Sequence, residues 1–183
     1  AFGKGSSAQN VTVKALALAG LKFDDIVPTY LSPADATAAF NGGNIDAWVV
    51  WDPYYAIAEE RYGARAIADT ADKRLASSSY FIASRSFATQ QPVVLSTVLD
   101  EIRKVTLWAG KNREELAKLA SEATGIDVKS WSAAFARAEF SLGPVTDAHI
   151  AQQQQLADAF QALGIIPKKL NVSEIVWRAP SAQ

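Results

Sequence analysis

The sequence predicts an α/β fold, in which the first half forms one open, mostly parallel sheet with helices and the second half is helical. Short strand-like runs alternate with helix-like segments up to about residue 85, and apolar residues then recur every three or four positions. The chain has 183 residues, 49% of them apolar. This length is enough for one sizeable core or two small lobes.

The first half is predicted to follow the order strand, helix, strand. Gly20 stands where a helix ends on a left-handed residue, and Ser32 and Pro33 supply the N-cap and first residue of the next helix. Parallel strands joined by such helices should have right-handed crossovers. The predicted strands are 1–3, 26–31, 47–51, 64–68 and 79–83, and the predicted helices are 7–19, 33–40 and 53–62.

The second half is predicted to consist of helical segments at 92–120, 127–138 and 147–163. The first of them carries an apolar stripe, which requires a partner surface. We therefore divide the chain into two units, residues 1–85 and residues 86–183. The stripe is formed by Val93, Val94, Val98, Leu99, Ile102, Val105 and Trp108.

Charge and composition exclude several classes of function. A net charge of −1 provides no long-range field for nucleic acid or an acidic membrane, so no nucleic-acid partner is predicted and binding should depend on a local site. The absence of cysteine excludes disulfides, thiolate nucleophiles and zinc–thiolate sites. No apolar run reaches the length of about 18 residues that a membrane span requires.

The start of the chain has the features of an anion-binding turn. Gly5 permits a tight turn, and Ser6 and Ser7 place hydroxyls beside the unpaired N–H groups of the following helix. An ordinary helix N-cap explains the same residues equally well. A phosphate-binding P-loop is disfavoured, because Lys4 precedes the second glycine instead of following it.

A second candidate segment is DAWVVWDPY at residues 46–54. Its predicted strand ends at Trp51 and Asp52, at the strand-end edge where open α/β sheets bind ligands. Trp48 points to the opposite face of the strand and is assigned to the core. Asp52 before Pro53 is also a good N-cap, and a carboxylate that faces an anion is repulsive unless a cation bridges the two.

Residues for catalysis or metal binding are sparse. The only histidine, His149, lies in a helical segment remote from both candidate segments, and no catalytic triad is visible. The aspartates are scattered over turns and helix starts, where aspartate is structurally expected. We therefore predict a protein that is not an enzyme, with no catalytic residues, no metal and no cofactor.

Several motifs together resemble one known family. In order they are GKGSSAQN, YLSPADATAAF, NIDAWVVWDPYYA, YFIASRSFA, LGPVTDAHIAQQQQLADAFQALGIIPKKL and IVWR. They resemble the substrate-binding proteins of ABC importers for aliphatic sulfonates, which are related to nitrate, taurine and thiamine-precursor binding proteins. The resemblance implies a type II periplasmic-binding-protein-like fold with the ligand clamped between two lobes. It also implies an exported, periplasmic protein that delivers a small anionic sulfonate to an ABC permease.

The same resemblance implies where the sulfonate binds. Members of this family have on the order of a hundred or more residues before this point, so the chain is expected to lack the N-terminal part of the fold and part of the pocket. The apolar stripe would then be uncovered, which predicts self-association or repacking. The implied ligand-binding residues are Gly5, Ser6, Ser7 and Ala8 at the helix start and Trp51 and Asp52 on the cleft wall.

Two other classes of function stay open on the sequence. An enzyme of the thiamine-pyrimidine-precursor family would need histidine or metal ligands near the cleft, and His149 is remote from it. A ligand-sensing effector domain of a transcription regulator uses the same fold. An upstream helix-turn-helix would support the regulator, whereas a signal peptide would exclude it.

Overall fold

A computed structural model describes residues 3–179 of the chain, and within this range the regular structure is helical. No helix in this range is both long and apolar enough to cross a bilayer. Two 3₁₀ turns, Phe23–Asp25 and Val172–Ile175, accompany the α-helices. The α-helices are α1 (Ser7–Leu18), α2 (Pro33–Asn41), α3 (Tyr54–Tyr62), α4 (Arg85–Gln90), α5 (Pro92–Lys111), α6 (Arg113–Thr124), α7 (Val128–Arg137) and α8 (Asp147–Ala162).

Helix termini follow the local signals in the sequence. Ser6 Oγ accepts the Gln9 N–H at 3.3 Å, and Ser32 Oγ accepts the Asp35 N–H at 3.2 Å, so both predicted N-caps form. Gly20 follows α1 with φ of 73°, a conformation that favours glycine. The predicted helices that begin near residues 7, 33, 53, 127 and 147 are confirmed to within one residue.

The single helix predicted at 92–120 is wrong, because the chain forms α5 and α6 with Asn112 between them. Asn112 has φ of −122° and ψ of 46°. Its side-chain amide donates to the carbonyl of Trp108 at 2.8 Å, and its backbone N–H donates to the same oxygen at 2.9 Å. An asparagine that binds the preceding turn in this way competes with continuation of the helix. The short helix α4 was not predicted, and Ser84 Oγ caps it by accepting the Phe87 N–H.

The sheet predicted for the first half is not confirmed. Between residues 3 and 179 no segment is assigned as a β-strand, and residues 1 and 2, where the first predicted strand begins, lie outside the described range. A strand requires a neighbouring strand to pair its N–H and C=O groups. Two of the predicted strands instead leave apolar side chains open to solvent: Val27 is 93% exposed and Ile82 is 95% exposed. Apolar composition predicted strands here, but the described residues form no ladder.

Helices α6 and α7 form the most extensive helix pair. Trp131 stacks on Phe135 with ring centroids 5.1 Å apart, and Phe135 contacts Phe140 at 5.9 Å. The guanidinium of Arg113 lies over the Phe140 ring and donates to backbone carbonyls, including those of Phe135 and Ala138 near the end of α7. Arg113 of α6 therefore joins this ring cluster and the end of α7 to α6.

Helix α7 also packs on α3, and ion pairs join the two helices. The contacts cross the predicted boundary between residues 85 and 86, and that division stays a prediction. Because these pairs are partly exposed, each contributes at most about 1 kcal/mol and serves mainly to orient the helices. The pairs are Arg61–Asp127, Glu60–Lys129, Glu59–Arg137 and Asp52–Arg137.

The apolar stripe of α5 is largely open to solvent. Val93 is 74% exposed, Val98 is 45% exposed and Val105 is 62% exposed. Beside it runs an open apolar groove of about 480 Å³, lined by residues of α5 and α6 and by Phe135 and Phe140. Part of the surface that the stripe requires is therefore not supplied within the described residues.

Candidate ligand-binding site

The first candidate site is the turn that leads into α1. Gly5 has φ of 81°, and its N–H donates to Oε1 of Gln9 at 2.6 Å. The Gln9 side chain, only 1% exposed, also donates from Nε2 to the hydroxyl of Tyr30 at 3.1 Å. One buried amide therefore joins the glycine turn, the first turn of α1 and the residue range 26–31.

This network determines which groups remain available to a ligand. The N–H of Gly5 is occupied by Gln9, and the N–H of Ser6 donates to the carbonyl of Gly3 at 3.2 Å. In the described part of the chain, the N–H groups of Ser7 and Ala8 donate to no acceptor. The Ser7 side chain is exposed, whereas Ala8 is only 4% exposed. Two backbone donors and an exposed hydroxyl thus stand at the positive end of a helix of 12 residues.

Gln9 and Tyr30 were not predicted as part of this site. A usable signal exists for Gln9, because Ser6 followed by glutamine three positions later is a capping-box pattern. Here the glutamine reaches one residue further back, to the N–H of Gly5. Tyr30 carries no comparable local signal, since its contact with Gln9 spans 21 positions.

The second candidate segment lies at the start of α3. Trp51 is 39% exposed, and Trp48 is more buried, with its ring 6.1 Å from that of Phe40. The N-cap of α3 is Pro53 and not Asp52 as predicted, but Asp52 Oδ1, one residue earlier, accepts the Ala56 N–H at 3.2 Å and supports the first turn of the helix. The half-exposed Trp51 is consistent with a position on a pocket wall.

The same carboxylate forms an ion pair that the sequence does not reveal. Nη2 of Arg137 donates to Asp52 Oδ1 at 2.8 Å, and Nε donates to Oδ2 at 3.2 Å. Nη1 donates to Glu59 Oε2 at 3.0 Å, and the guanidinium lies 4.3 Å from the centroid of the Tyr55 ring. Hydrogen bonding to Asp52 raises the pKa of Arg137 above its ordinary value. The charged guanidinium is therefore held by two carboxylates and one aromatic ring.

Hydrogen bonds thus place two of the predicted site residues, Gly5 and Ser6, in one group with Gln9, and a third, Asp52, in another group with Arg137. Gln9 and Arg137 were not predicted. Within residues 3–179 no hydrogen bond joins Asp52 to the start of α1.

Neither His149 nor a metal-binding cluster joins the first site in the described residues. His149 forms a capping box with Thr146, in which its Nδ1 accepts the Thr146 N–H at 3.1 Å. In the described range no group of three or more histidine, aspartate or glutamate side chains could hold a metal ion. The available groups of the first site are hydrogen-bond donors, which can hold an anion without transferring a proton.

Comparison with known proteins identifies the family of the chain. The sequence profile of the NMT1-like family matches residues 1–122. The chain belongs to the NMT1-like family.

Curated relatives of this NMT1-like chain carry the name aliphatic sulfonates-binding protein. The relative from Escherichia coli (strain K12) is 37% identical over 179 residues, covering 97% of the chain and 56% of the relative. The relative from Bacillus subtilis (strain 168) is 28% identical over 176 residues, covering 96% of the chain and 53% of the relative. The NMT1-like chain is homologous to these proteins, and it spans about half of their length.

Solved structures agree with the sequence comparison. The periplasmic aliphatic sulphonate binding protein SsuA from Escherichia coli matches with a TM-score of 0.91 and 35% identity, covering 100% of the NMT1-like chain and 59% of SsuA. SsuA from Xanthomonas axonopodis pv. citri, solved bound to MOPS, matches with a TM-score of 0.88 and 34% identity, covering 97% of the chain and 62% of that protein. The predicted resemblance to sulfonate-binding proteins is confirmed.

Proposed function

We propose that the protein containing this chain is the substrate-binding component of an ABC importer, which captures an alkanesulfonate in the periplasm and delivers it to the membrane permease. The observation that carries the proposal is the pair of unoccupied N–H groups, of Ser7 and Ala8, beside the exposed Ser7 hydroxyl. The names of its relatives support the same class of ligand. None of these names denotes a synthase or a transcription regulator.

The donors suit a sulfonate for electrostatic reasons. A sulfonate keeps its negative charge at any physiological pH, so recognition requires fixed donors and no proton-transferring base. Its three oxygens can accept from the Ser7 N–H, the Ala8 N–H and the Ser7 hydroxyl together. We place the apolar tail along a wall that includes Trp51, because aromatic side chains typically line such slots.

Calorimetry with the protein that contains this chain tests the proposal. We expect alkanesulfonate to bind more tightly than nitrate or sulfate, because only the sulfonate has an apolar tail. Trp51→Leu should weaken alkanesulfonate binding by about tenfold through lost apolar contact. Trp131→Leu is the matched control, since Trp131 stacks on Phe135 within α7. Absence of sulfonate binding at millimolar concentration would contradict the proposed function.

We also expect the 183-residue chain to self-associate through the open stripe of α5. Burying Val98 and its neighbours against a second copy removes apolar surface from water. Sedimentation should show a dimer or larger species that Val98→Glu shifts toward monomer, whereas Ser132→Glu, at an exposed site on α7, should leave the distribution unchanged. A purely monomeric chain at high concentration would refute this expectation.

A further inference from the structure

An anion site with Asp52 on its wall has an electrostatic problem. The Asp52 side chain is 26% exposed, and it directly follows Trp51, which the proposed function places on the cleft wall. An unpaired carboxylate there would repel a sulfonate and lower its affinity. A protein that binds anions beside Asp52 therefore needs a cationic side chain that is paired with this carboxylate.

Arg137 supplies that charge in the geometry suited to a carboxylate. Its Nε and Nη2 donate to the two oxygens of Asp52 in a paired arrangement, which is stronger and more directional than a single contact. Its third nitrogen binds Glu59, and Tyr55 packs against the face of the guanidinium. The arginine is therefore held in place before any ligand arrives.

We propose that Arg137 is a positioning residue of the ligand cleft, which neutralises Asp52 and holds the Trp51–Asp52 segment at the start of α3. This inference rests on the proposed function. It assigns to α7 a part in ligand binding that neither the motif at residues 46–54 nor its local sequence indicates. The mode of action is indirect, because Arg137 acts through Asp52 and is not placed against the ligand.

Arg61 offers a matched control for a purely structural role. Like Arg137, Arg61 joins α3 to α7, through its pair with Asp127. Arg137→Gln and Arg61→Gln therefore each remove one arginine from the same helix interface. We expect Arg137→Gln to weaken alkanesulfonate binding on the order of tenfold, and Arg61→Gln to change it less than twofold.

Two further measurements show whether Arg137→Gln weakens binding through the unpaired charge of Asp52 or through a loss of protein stability. The loss in Arg137→Gln should shrink as salt is raised, because screening weakens the repulsion from the unpaired Asp52. The double variant Asp52→Asn/Arg137→Gln should recover most of the lost affinity, since asparagine removes the charge and its amide oxygen can still accept the Ala56 N–H.

The outcomes distinguish the inference from the proposed function. If the unmodified protein binds no sulfonate, both fail. If it binds sulfonate and Arg137→Gln binds as Arg61→Gln does, or the double variant is no better than Arg137→Gln, the inference alone is overturned. Should Arg137→Gln fail to fold, Arg137→Lys carries the test, because it keeps the charge and loses the paired geometry. Arg137→Lys should bind severalfold more weakly, and unchanged affinity would overturn the positioning role.

Discussion

Placing a carboxylate at the start of α1 should abolish alkanesulfonate binding without harming the fold. In Ser7→Asp, the new charge lies beside the N–H groups of Ser7 and Ala8 and competes with the ligand for them. We expect a loss of more than about a hundredfold in affinity, since charge repulsion adds to the loss of the hydroxyl donor. The same carboxylate is favourable for the helix, because it faces the positive end of the dipole at the first helical position.

Because Ser7→Asp should lower sulfonate affinity but not stability, a loss of binding cannot be attributed to unfolding. Thermal unfolding of Ser7→Asp should show equal or greater stability, by about 0.3 to 1 kcal/mol, while calorimetry shows no binding. Ser7→Asn is the neutral control of similar size and should bind within about tenfold of the unmodified protein. Sulfonate affinity in Ser7→Asp comparable to that of Ser7→Asn would rule out the α1 start as the anion site.

Removing the guanidinium of Arg113 should change the free energy of unfolding more than Ser7→Asp does. Arg113 donates to the carbonyl of Phe135, to that of Ala138 at 3.2 Å and to that of Gly110 at 3.4 Å. It also lies 5.1 Å from the centroid of the Phe140 ring. Arg113→Met keeps much of the apolar stem but leaves these carbonyls without the cationic donor. We expect a loss of about 2 to 3 kcal/mol in the free energy of unfolding.

Urea unfolding followed by the fluorescence of the tryptophans measures this loss. Lys118→Met, on the exposed surface of the same helix, is the control and should change stability by less than about 0.5 kcal/mol. Equal stability of the two variants would mean that water replaces the Arg113 contacts at no cost. The hydrogen bonds of Arg113 would then contribute nothing measurable to the α6–α7 pair.

Helix boundaries in this chain were predictable because their signals are local. Ser6, Ser32 and Gly20 each act within four residues of their own position: Ser32 and Gly20 have the predicted roles, and Ser6 is the N-cap, one of the two roles that its sequence allowed. The break at Asn112 was missed although its signal is equally local, because the apolar spacing of 92–120 was interpreted as one continuous helix. The side chain and the backbone N–H of Asn112 both donate to the Trp108 carbonyl, four residues earlier, where α5 ends.

The candidate site was predictable to a smaller extent. The anion-binding turn and the exposed Trp51 were identified from residue types at expected helix and strand ends, and their role as ligand contacts stays a prediction. Gln9, Tyr30 and Arg137 were missed. Their contacts span 21 positions for Gln9 with Tyr30 and 85 positions for Arg137 with Asp52, and neither pairing follows from local spacing.

The amino-acid sequence by itself established most of the helical segments, several of their caps, the candidate anion-binding turn and the likeness to sulfonate-binding proteins. These properties depend on residues within a turn or two of one another, or on motifs that can be read directly. The three-dimensional arrangement settled the rest. It left the predicted strands without a ladder in the described residues, joined Gln9 to Tyr30 and paired Asp52 with Arg137. Each of these outcomes depends on which distant groups meet, because hydrogen bonds and charge pairs act only over a few ångströms.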